Sequence, residues 1–358
     1  METRPPYIPP VPPGAGRIVR HNPANKIGWI LSGVMVLALG AVVLIMSMGN
    51  DDSTPPTLSI TKPGFFEVHE IKVSPAAFLG GALPSGAGNA ADDYRQAVEI
   101  YRAHVSEFAD AFDPKRRAEI AKGKYTPPLP VMNALEKVYA LMAAGAAKKE
   151  MRYTTPDLIA VRYADDQASQ LIRLGEPLAI LADVYHGAGK FAEEEKVLWA
   201  MFILGWHMER EHVRATTAFQ GLDVQGGAVG ALGDLYSTWE PQNHASQMKA
   251  IQEYAPALDR LNRDYNDKLF VIWKKKPQPG DVFATVQRDQ DRAWRVDALL
   301  MVGAIRYTHS GNTGDQKVAQ KLLAKYADDP DPYVKAAAVA SRDLTSKGFD
   351  LVGTPPGQ

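Results

Sequence analysis

The segment from Trp206 to His212, WHMEREH, concentrates titratable side chains of the kind that do chemistry. His207 and His212 are five residues apart, which places them about 140° from each other round a helix. Zinc-binding helices instead carry two histidines four residues apart, so that both rings share one face. Glu209 and His212 have the Glu-x-x-His spacing of di-iron bundles, but such a site needs a second copy and further glutamates. The pattern therefore predicts no metal site and favours a solvated polar face.

A wider set of polar residues lies beside glycine-rich sequence and forms the candidate ligand-binding group: His207, Glu211, His212, Asp234 and His244. The glycine-rich segment 218–234, AFQGLDVQGGAVGALGD, lacks the Lys-Ser/Thr pair and the preceding strand of a phosphate-binding loop. It is predicted to be a flexible connection between helical hairpins. The chain contains 0 cysteines and no Gly-x-Ser-x-Gly elbow. No catalytic residue is therefore assigned, and no cofactor is expected.

The segment from Ile27 to Met48 has no charged side chain. It predicts the location of the protein in the cell. At about 1.5 Å per helical residue it extends roughly 33 Å, enough to cross the ~30 Å hydrocarbon core of a bilayer. A cleaved signal peptide is the alternative, but its apolar core would be about 7–15 residues long and would precede a small-x-small cleavage site. MSMGNDD offers no such site. Residues 27–48 are therefore predicted to be a permanent transmembrane helix.

The charges on either side of this span predict its orientation. The first 26 residues carry four basic side chains against Glu2, a net charge of +3, whereas Asp51 and Asp52 follow the span. Short basic segments remain on the cytoplasmic side of a membrane. We therefore expect a single-pass protein of the cell membrane with a cytoplasmic N-terminus and a periplasmic or other extracytoplasmic C-terminal region.

Composition limits the partners of that C-terminal region. The formal net charge of the chain is −1, so the residues beyond the span carry −4. A slightly acidic region lacks the electrostatic footprint of a nucleic-acid-binding protein, and no nucleic-acid partner is expected. The hydrophobic fraction of 46% is ordinary for a globular protein and is sufficient for a folded core.

Proline and glycine mark the segments that we expect to lie outside the core. Residues 1–26 contain RPPYIPPVPPGAGR, which favours polyproline II and predicts a cytoplasmic tail. Residues 49–88 predict a mostly extended linker, within which FEVHEIKV at 66–73 has partial strand character. Residues 349–358 are predicted to be a disordered tail.

Residues 89–276 have the apolar spacing of helices, beginning at Asn89, a predicted N-cap. Within them, LGEPLAILADVYHGAGKFAEEEKVLWAMF, near 175–205, has small and large apolar residues before a glycine turn and an aromatic residue after it. This segment resembles one tetratricopeptide repeat, although Glu194 stands where a small residue is usual. Residues 231–254 resemble a degenerate second copy.

Residues 277–348 contain a different repeat-like pattern. The string DPDPYVKAA at 329–337 combines an Asp cap with Pro in the first turn of a helix. It is similar to the turn and second helix of a HEAT-type repeat, and the similarity extends over residues near 291–345. The residues expected to face inward are Val334, Ala337, Ala338 and Leu344.

These patterns predict an all-α fold class: a single N-terminal transmembrane helix and an external domain of stacked helical hairpins. Such arrays expose long surfaces, so the leading hypothesis is a membrane-anchored scaffold or adaptor that binds protein on the non-cytoplasmic side. The alternative is a ligand-binding receptor or an enzyme with a pocket between helices. A third hypothesis assigns partner binding to the Pro-rich tail. The absence of a catalytic motif favours a non-enzymatic role.

Overall fold

The computed structural model describes residues 71, 73–80, 83–161, 167–273, 278–308 and 313–343, all within one compact unit. The predicted cytoplasmic tail, transmembrane helix and C-terminal tail, and most of the predicted linker, lie outside these residues. Of the helices in the described part, none is both long enough and apolar enough to cross a bilayer.

The described residues are mostly α-helical, which confirms the all-α fold class. In chain order the helices are α1 (Ala90–Phe112), α2 (Pro114–Ala121), α3 (Leu129–Ala146), α4 (Pro156–Val161), α5 (Gln167–Arg173), α6 (Gly175–Gly187), α7 (Phe191–Glu211), α8 (Ala215–Thr238), α9 (Ala245–Trp273), α10 (Pro279–Arg288), α11 (Arg292–Thr308), α12 (Thr313–Tyr326) and α13 (Pro332–Arg342). Their buried apolar side chains form one continuous hydrophobic core.

Side-chain caps fix the beginnings of several helices, as their sequences indicate. The Asn89 side chain accepts a hydrogen bond from the Ala91 amide at 3.2 Å, which confirms the predicted cap of α1. Asp331 accepts from the Tyr333 and Val334 amides at 2.9 and 3.2 Å, with Pro332 in the first turn of α13. Each cap satisfies amides that have no partner within the helix.

The end of the predicted linker belongs to the folded unit, which corrects the boundary at residue 88. A 3₁₀ turn, Pro75–Ala77, leads to Phe78, which is fully buried. The Phe78 ring packs edge-on against Phe202 and Tyr254, with centroids 5.2 and 5.1 Å away. Burying an aromatic ring of this size contributes about 2 kcal/mol to holding the segment against α7 and α9.

A small parallel sheet follows this segment. Strand β1 (Gly86–Asn89) pairs with β2 (Lys148–Glu150), and the register places Gly86 opposite Lys148 and Asn89 opposite Glu150. This is the only sheet within the described ranges. The strand character noted at residues 66–73 lies almost wholly outside them.

Helices α6, α7 and α8 pack in sequence, and each connection between them is short. Gly189 ends the first hairpin with φ +68°, a conformation that glycine adopts without strain. The segment 218–234 is not a flexible connection as predicted, because it lies inside the continuous helix α8. A Cβ at Gly221 would lie 2.5 Å from the Gly205 carbonyl oxygen, so the glycines serve a close crossing of α7 and α8.

The C-terminal helices continue the same core. Helix α11 packs against α10, α12 and α13, and α13 also packs against α4. Val334, Ala337 and Ala338 are buried, as their spacing predicts, whereas Leu344 lies beyond the described residues. The predicted boundary at residues 276 and 277 thus divides the sequence pattern without dividing the core.

Candidate functional site

The WHMEREH segment forms the last turns of α7, and it is not the solvated face that its polar residues predict. The His207 side chain belongs to the buried set with 2% exposure, and Trp206 is only 9% exposed. The reason is that α7 is covered by α3, α6 and α8, and its C-terminal turns extend to the segment before α4. His207, Glu211 and His212 therefore each meet a different neighbouring element.

His207 is held by two hydrogen bonds inside the core. Its Nδ1 lies 2.8 Å from the Tyr94 Oη and its Nε2 lies 2.9 Å from the Lys148 carbonyl oxygen. Since a carbonyl oxygen only accepts, Nε2 carries the proton and Nδ1 accepts from the tyrosine hydroxyl. Burial lowers the pKa of His207 to about 4, outweighing the opposite effect of the Lys148 carbonyl. The ring is therefore a neutral link between α1, α7 and β2.

The Tyr94 hydroxyl reaches His207 because α3 provides a gap. A Cβ at Gly145 would clash with the Tyr94 ring, so glycine lets the ring lie against the α3 backbone. Tyr94 is fully buried, and this burial raises the pKa of its hydroxyl. His207 and Tyr94 thus form a structural pair that no solvent reaches.

Glu211 binds the backbone that precedes α4. Its carboxylate accepts hydrogen bonds from the Thr154 amide at 2.6 Å and from the Thr154 hydroxyl at 3.1 Å. Burial raises the pKa of Glu211 to about 7, even though the hydrogen bonds from Thr154 and Tyr153 and the charge of Arg95 oppose the shift. The residue joins the end of α7 to the start of α4.

His212 occupies the connection between α7 and α8 and faces another part of the molecule. Its backbone is left-handed, with φ 49°, and its side chain is about one-third exposed. The Nε2 atom donates to the Asp291 carboxylate at 2.7 Å, and Nδ1 lies 3.5 Å from the Tyr265 hydroxyl. Glu209, one helical turn earlier, adds a second negative charge nearby. We call Glu209, His212, Tyr265 and Asp291 the His212 site.

The charges of the His212 site shift its pKa values in opposite directions. The hydrogen bond to Asp291 raises the pKa of His212, against the effect of burial. Burial alone would raise the pKa of Asp291, but His212, the Ala293 amide and Lys268 together lower it. Burial raises the pKa of Glu209. The imidazolium–carboxylate form of the His212–Asp291 pair is thereby favoured.

Asp234 and His244 lie at the opposite end of α8. The His244 ring stacks on Tyr236 at a centroid distance of 4.6 Å and packs against Trp239 at 4.7 Å. The Asp234 carbonyl accepts from the Ser237 hydroxyl at 2.8 Å, near the end of the helix. Since α8 rises about 1.5 Å per residue, this end is roughly 30 Å from the connection that holds His212. The five candidate residues therefore do not converge on one pocket.

The partners that define the His212 site could not be predicted from the sequence patterns. Asp291 is contributed by the start of α11, where its other carboxylate oxygen accepts from the Ala293 amide at 2.8 Å. Its position just before an apolar helix was a readable N-cap signal. The nearby Asp297, fully buried, binds Arg214 at 2.9 Å and the Thr216 amide at 2.9 Å. Nothing in the spacing of these residues indicated which histidine Asp291 would meet.

The arrangement supports only limited chemistry. A histidine paired with a carboxylate can transfer protons, and the Tyr265 hydroxyl is a further donor. Within the described ranges, no group of three or more His, Asp or Glu side chains could hold a metal ion. No family model, no curated protein and no solved structure matches the chain.

Proposed function

We propose that this chain is a membrane-tethered helical scaffold that binds a protein partner on the non-cytoplasmic side. In this proposal residues 27–48 anchor the chain, the basic tail 1–26 stays in the cytoplasm, and residues 89–348 present the binding surface. The repeat-like hairpins in that region resemble tetratricopeptide and HEAT-type units, which commonly bind extended partners.

One observation carries the proposal: the candidate polar residues serve the packing of the helices. His207 links α1 to β2, Glu211 links α7 to α4, and His244 stacks on aromatic rings of α8 and its C-cap. An enzyme or small-molecule receptor would instead direct several such groups into one concave site. A framework of long helices with internal polar links suits a rigid binding surface.

Membrane attachment is tested with the full-length chain in vesicles. We expect the protein to stay in the pellet after carbonate extraction, and deletion of residues 27–48 to release it. Protease added to the outside of intact cells or spheroplasts should digest residues 89–348 and leave the first twenty residues protected. A soluble full-length chain, or digestion of the N-terminal tail, would refute the anchored orientation.

Protein binding is tested by site-specific photocrosslinking in membranes. Phe270 on α9 and Leu129 on α3 are 53% and 72% exposed, so a benzoyl-phenylalanine at either position samples the helical surface. The same probe at the fully buried Phe202 is the matched control. We expect a discrete crosslinked protein at one or both exposed positions and none at Phe202. Labelling that is equal at all three positions, or absent from all, would count against a scaffold.

A second candidate function is an enzyme that uses His212 as a general acid or base. The observation in its favour is that the His212–Asp291 pair is one-third exposed, unlike His207. Hydrolysis of a series of p-nitrophenyl esters by the full chain tests it. Turnover that follows the titration of His212 and is lost in His212→Asn would support an enzyme, whereas identical rates in the two proteins would exclude it for this substrate class.

A further inference from the structure

A row of lysines on helix α12 is a separate candidate for binding. Lys317, Lys321 and Lys325 are exposed and follow one another at intervals of four residues. Side chains four residues apart lie on the same face of a helix, about 6 Å apart along its axis. We call these three residues the lysine stripe. It contains none of the five candidate residues named from the sequence.

The lysine stripe has no counter-charge on its own helix. The sequence between Lys317 and Lys325 contains no aspartate or glutamate, because Asp315 lies in the first turn and Asp328 lies beyond the last turn. Across the described part of the chain, no carboxylate forms an ion pair with any of the three lysines. The Lys325 Nζ lies 5.0 Å from the ring centroid of Tyr326, a contact that does not neutralise its charge. The stripe therefore presents three positive charges to solvent.

Helix α9 shows a different arrangement of charges on a surface helix. Its exposed Lys249 and Glu253, and its exposed Arg263 and Asp267, are pairs of opposite charge four residues apart. Opposite charges at this spacing stabilise a helix, whereas like charges at the same spacing destabilise it. Two such like-charged intervals follow each other in the lysine stripe. The stripe thus lowers the stability of α12, and carboxylates from a partner would relieve the repulsion.

Helix α12 is held in a fixed position by its inward face. Ala319, Leu322, Leu323 and Tyr326 belong to the hydrophobic core. The Tyr326 hydroxyl donates to the Val286 carbonyl oxygen at 3.0 Å inside the core, which ties the end of α12 to α10. The backbone that carries the lysine stripe is therefore ordered before any partner binds. Binding orders only the lysine side chains on this protein, which limits the entropic cost.

We propose that the lysine stripe binds an acidic helix of the scaffold's protein partner, with carboxylates at intervals of four residues. Such a helix has the same repeat of about 6 Å, so three carboxylates meet three lysines at once. On one face of an extended segment the side chains recur at about 6.8 Å and fall out of step with the stripe. Val318, which is 39% exposed next to Lys317, adds an apolar contact. This inference rests on the proposed scaffold function and deepens it by naming the chemistry of the partner.

The test uses the full chain in phosphatidylcholine nanodiscs and two fluorescein-labelled peptides of identical composition. The aligned peptide, AQAEAQAEAQAEAQA, has glutamates four residues apart and presents them on one helical face. Its isomer, AEAQAAEQAQAEAQA, has them five residues apart, about 140° from each other round a helix. Fluorescence anisotropy should show the aligned peptide binding about tenfold more tightly, because it alone can make all three ion pairs. The preference should decrease with added salt, which screens exposed charges.

Charge reversal in the middle of the stripe separates binding from folding. Lys321→Glu should weaken binding of the aligned peptide about tenfold. It should also raise the midpoint of thermal unfolding by about 2 °C, because the new carboxylate lies four residues from both Lys317 and Lys325. A loss of binding then cannot be ascribed to a loss of structure. Lys321→Arg keeps the charge and should bind as wild type does, and Lys249→Glu, an equal charge change on α9, should leave binding unchanged.

The inference is overturned if the two peptides bind equally, if neither binds, or if Lys321→Glu binds the aligned peptide as tightly as wild type does. If neither peptide binds, binding to phosphatidylglycerol vesicles that is lost in Lys321→Glu would assign the stripe to lipid headgroups instead. A protein photocrosslinked at Phe270 or Leu129, combined with any of these results, would refute the acidic helix and leave the scaffold function standing.

Discussion

Two histidines at the end of α7 have opposite environments although only five residues separate them. His207 is enclosed, uses both ring nitrogens on neighbouring backbone and side chain, and has a lowered pKa. His212 leaves the helix in a left-handed conformation, pairs with a carboxylate and has a raised pKa. Burial without a counter-charge disfavours the imidazolium, whereas burial beside Asp291 favours it.

The direction in which each histidine leaves the helix decides its role. His207 points toward α1 and β2, where the core admits only a neutral ring. His212 lies past the last turn of α7, where the chain can approach the start of α11. The first histidine stabilises the core at neutral pH, and the second forms a charged link between the end of α7 and the start of α11.

The largest effect that would sharpen this contrast is expected from His207→Ala. The change leaves the Tyr94 hydroxyl and the Lys148 carbonyl without partners and opens a cavity, at a cost of about 3–4 kcal/mol in the free energy of unfolding. His212→Ala should cost only about 1 kcal/mol, since its pair is partly exposed. Urea unfolding of the full chain in micelles, followed by circular dichroism at pH 7.5, measures both.

Tyr94→Phe is the matched control for this prediction, because it removes one hydroxyl and keeps the ring. It should cost about 1–2 kcal/mol, less than His207→Ala. Equal destabilisation by His207→Ala and His212→Ala would contradict the assignment of one residue to the core and the other to a surface link.

The second prediction concerns the pH dependence contributed by His207. Its pKa is about 4 in the folded chain and 6.5 as the reference for the unfolded chain. Between these values the unfolded chain binds a proton that the folded chain does not, so this group lowers stability as pH falls from 6.5 to 4. The full loss is about 3 kcal/mol. His207→Gln removes this loss. As the pH decreases from 6.5 to 4, the free energy of unfolding of wild type should therefore fall relative to that of His207→Gln.

The third prediction is that Glu211 gives the free energy of unfolding the opposite dependence on pH. Its pKa is about 7 in the folded chain against a reference of 4.5. The folded chain keeps a proton that the unfolded chain has released, so stability falls by about 3 kcal/mol as pH rises from 4.5 to 7. In wild type the two slopes largely offset each other. In Glu211→Gln the free energy of unfolding should rise with pH because of His207. In His207→Gln it should fall with pH because of Glu211. A free energy of unfolding that does not change with pH in either variant would show that the remaining group does not titrate as inferred.

Much of the helical architecture could be predicted from local signals. Asn89 and the Asp331-Pro332 pair begin helices because their side chains cap them, and the Gly189 turn ends a hairpin for its permitted backbone conformation. Such signals depend on a few neighbouring residues, so the sequence is sufficient to read them. The membrane span at 27–48 is an equally local signal and stays a prediction.

The failures arose where a long-range contact decided the outcome. The glycines of segment 218–234 suggested a flexible connection, but the close approach of Gly205 and Gly221 stabilises a helix there. The linker boundary missed Phe78, whose partners Phe202 and Tyr254 are more than a hundred residues away. The His212 site likewise depends on Asp291, 79 residues later. Periodicity identifies which residues are apolar or charged but does not identify their distant partners.

The smallest predicted effect comes from Asp291→Asn. This change removes the negative charge beside His212 and keeps a side chain of nearly the same shape. Asparagine is also a good N-cap, so α11 should keep its hydrogen bond to the Ala293 amide. The charge pairing with His212 is removed, together with the weaker attraction of Lys268, at an expected cost of about 1 kcal/mol at pH 6. The raised pKa of His212 makes this contribution fully present below about pH 6.5 and lost as the pH rises through the folded value.

The difference between wild type and Asp291→Asn should therefore be greatest between about pH 4 and 6.5 and should shrink toward pH 9. The lowered pKa of Asp291 sets the acidic limit, because protonation of the carboxylate removes the pair in wild type as well. His212→Asn is the reciprocal variant, and the double variant should cost no more than either single one if the two residues act as a pair. A cost of Asp291→Asn that is independent of pH would mean that the aspartate acts only as the cap of α11. His212 would then lose the property that distinguishes it from His207, since no charged link would join α7 to α11.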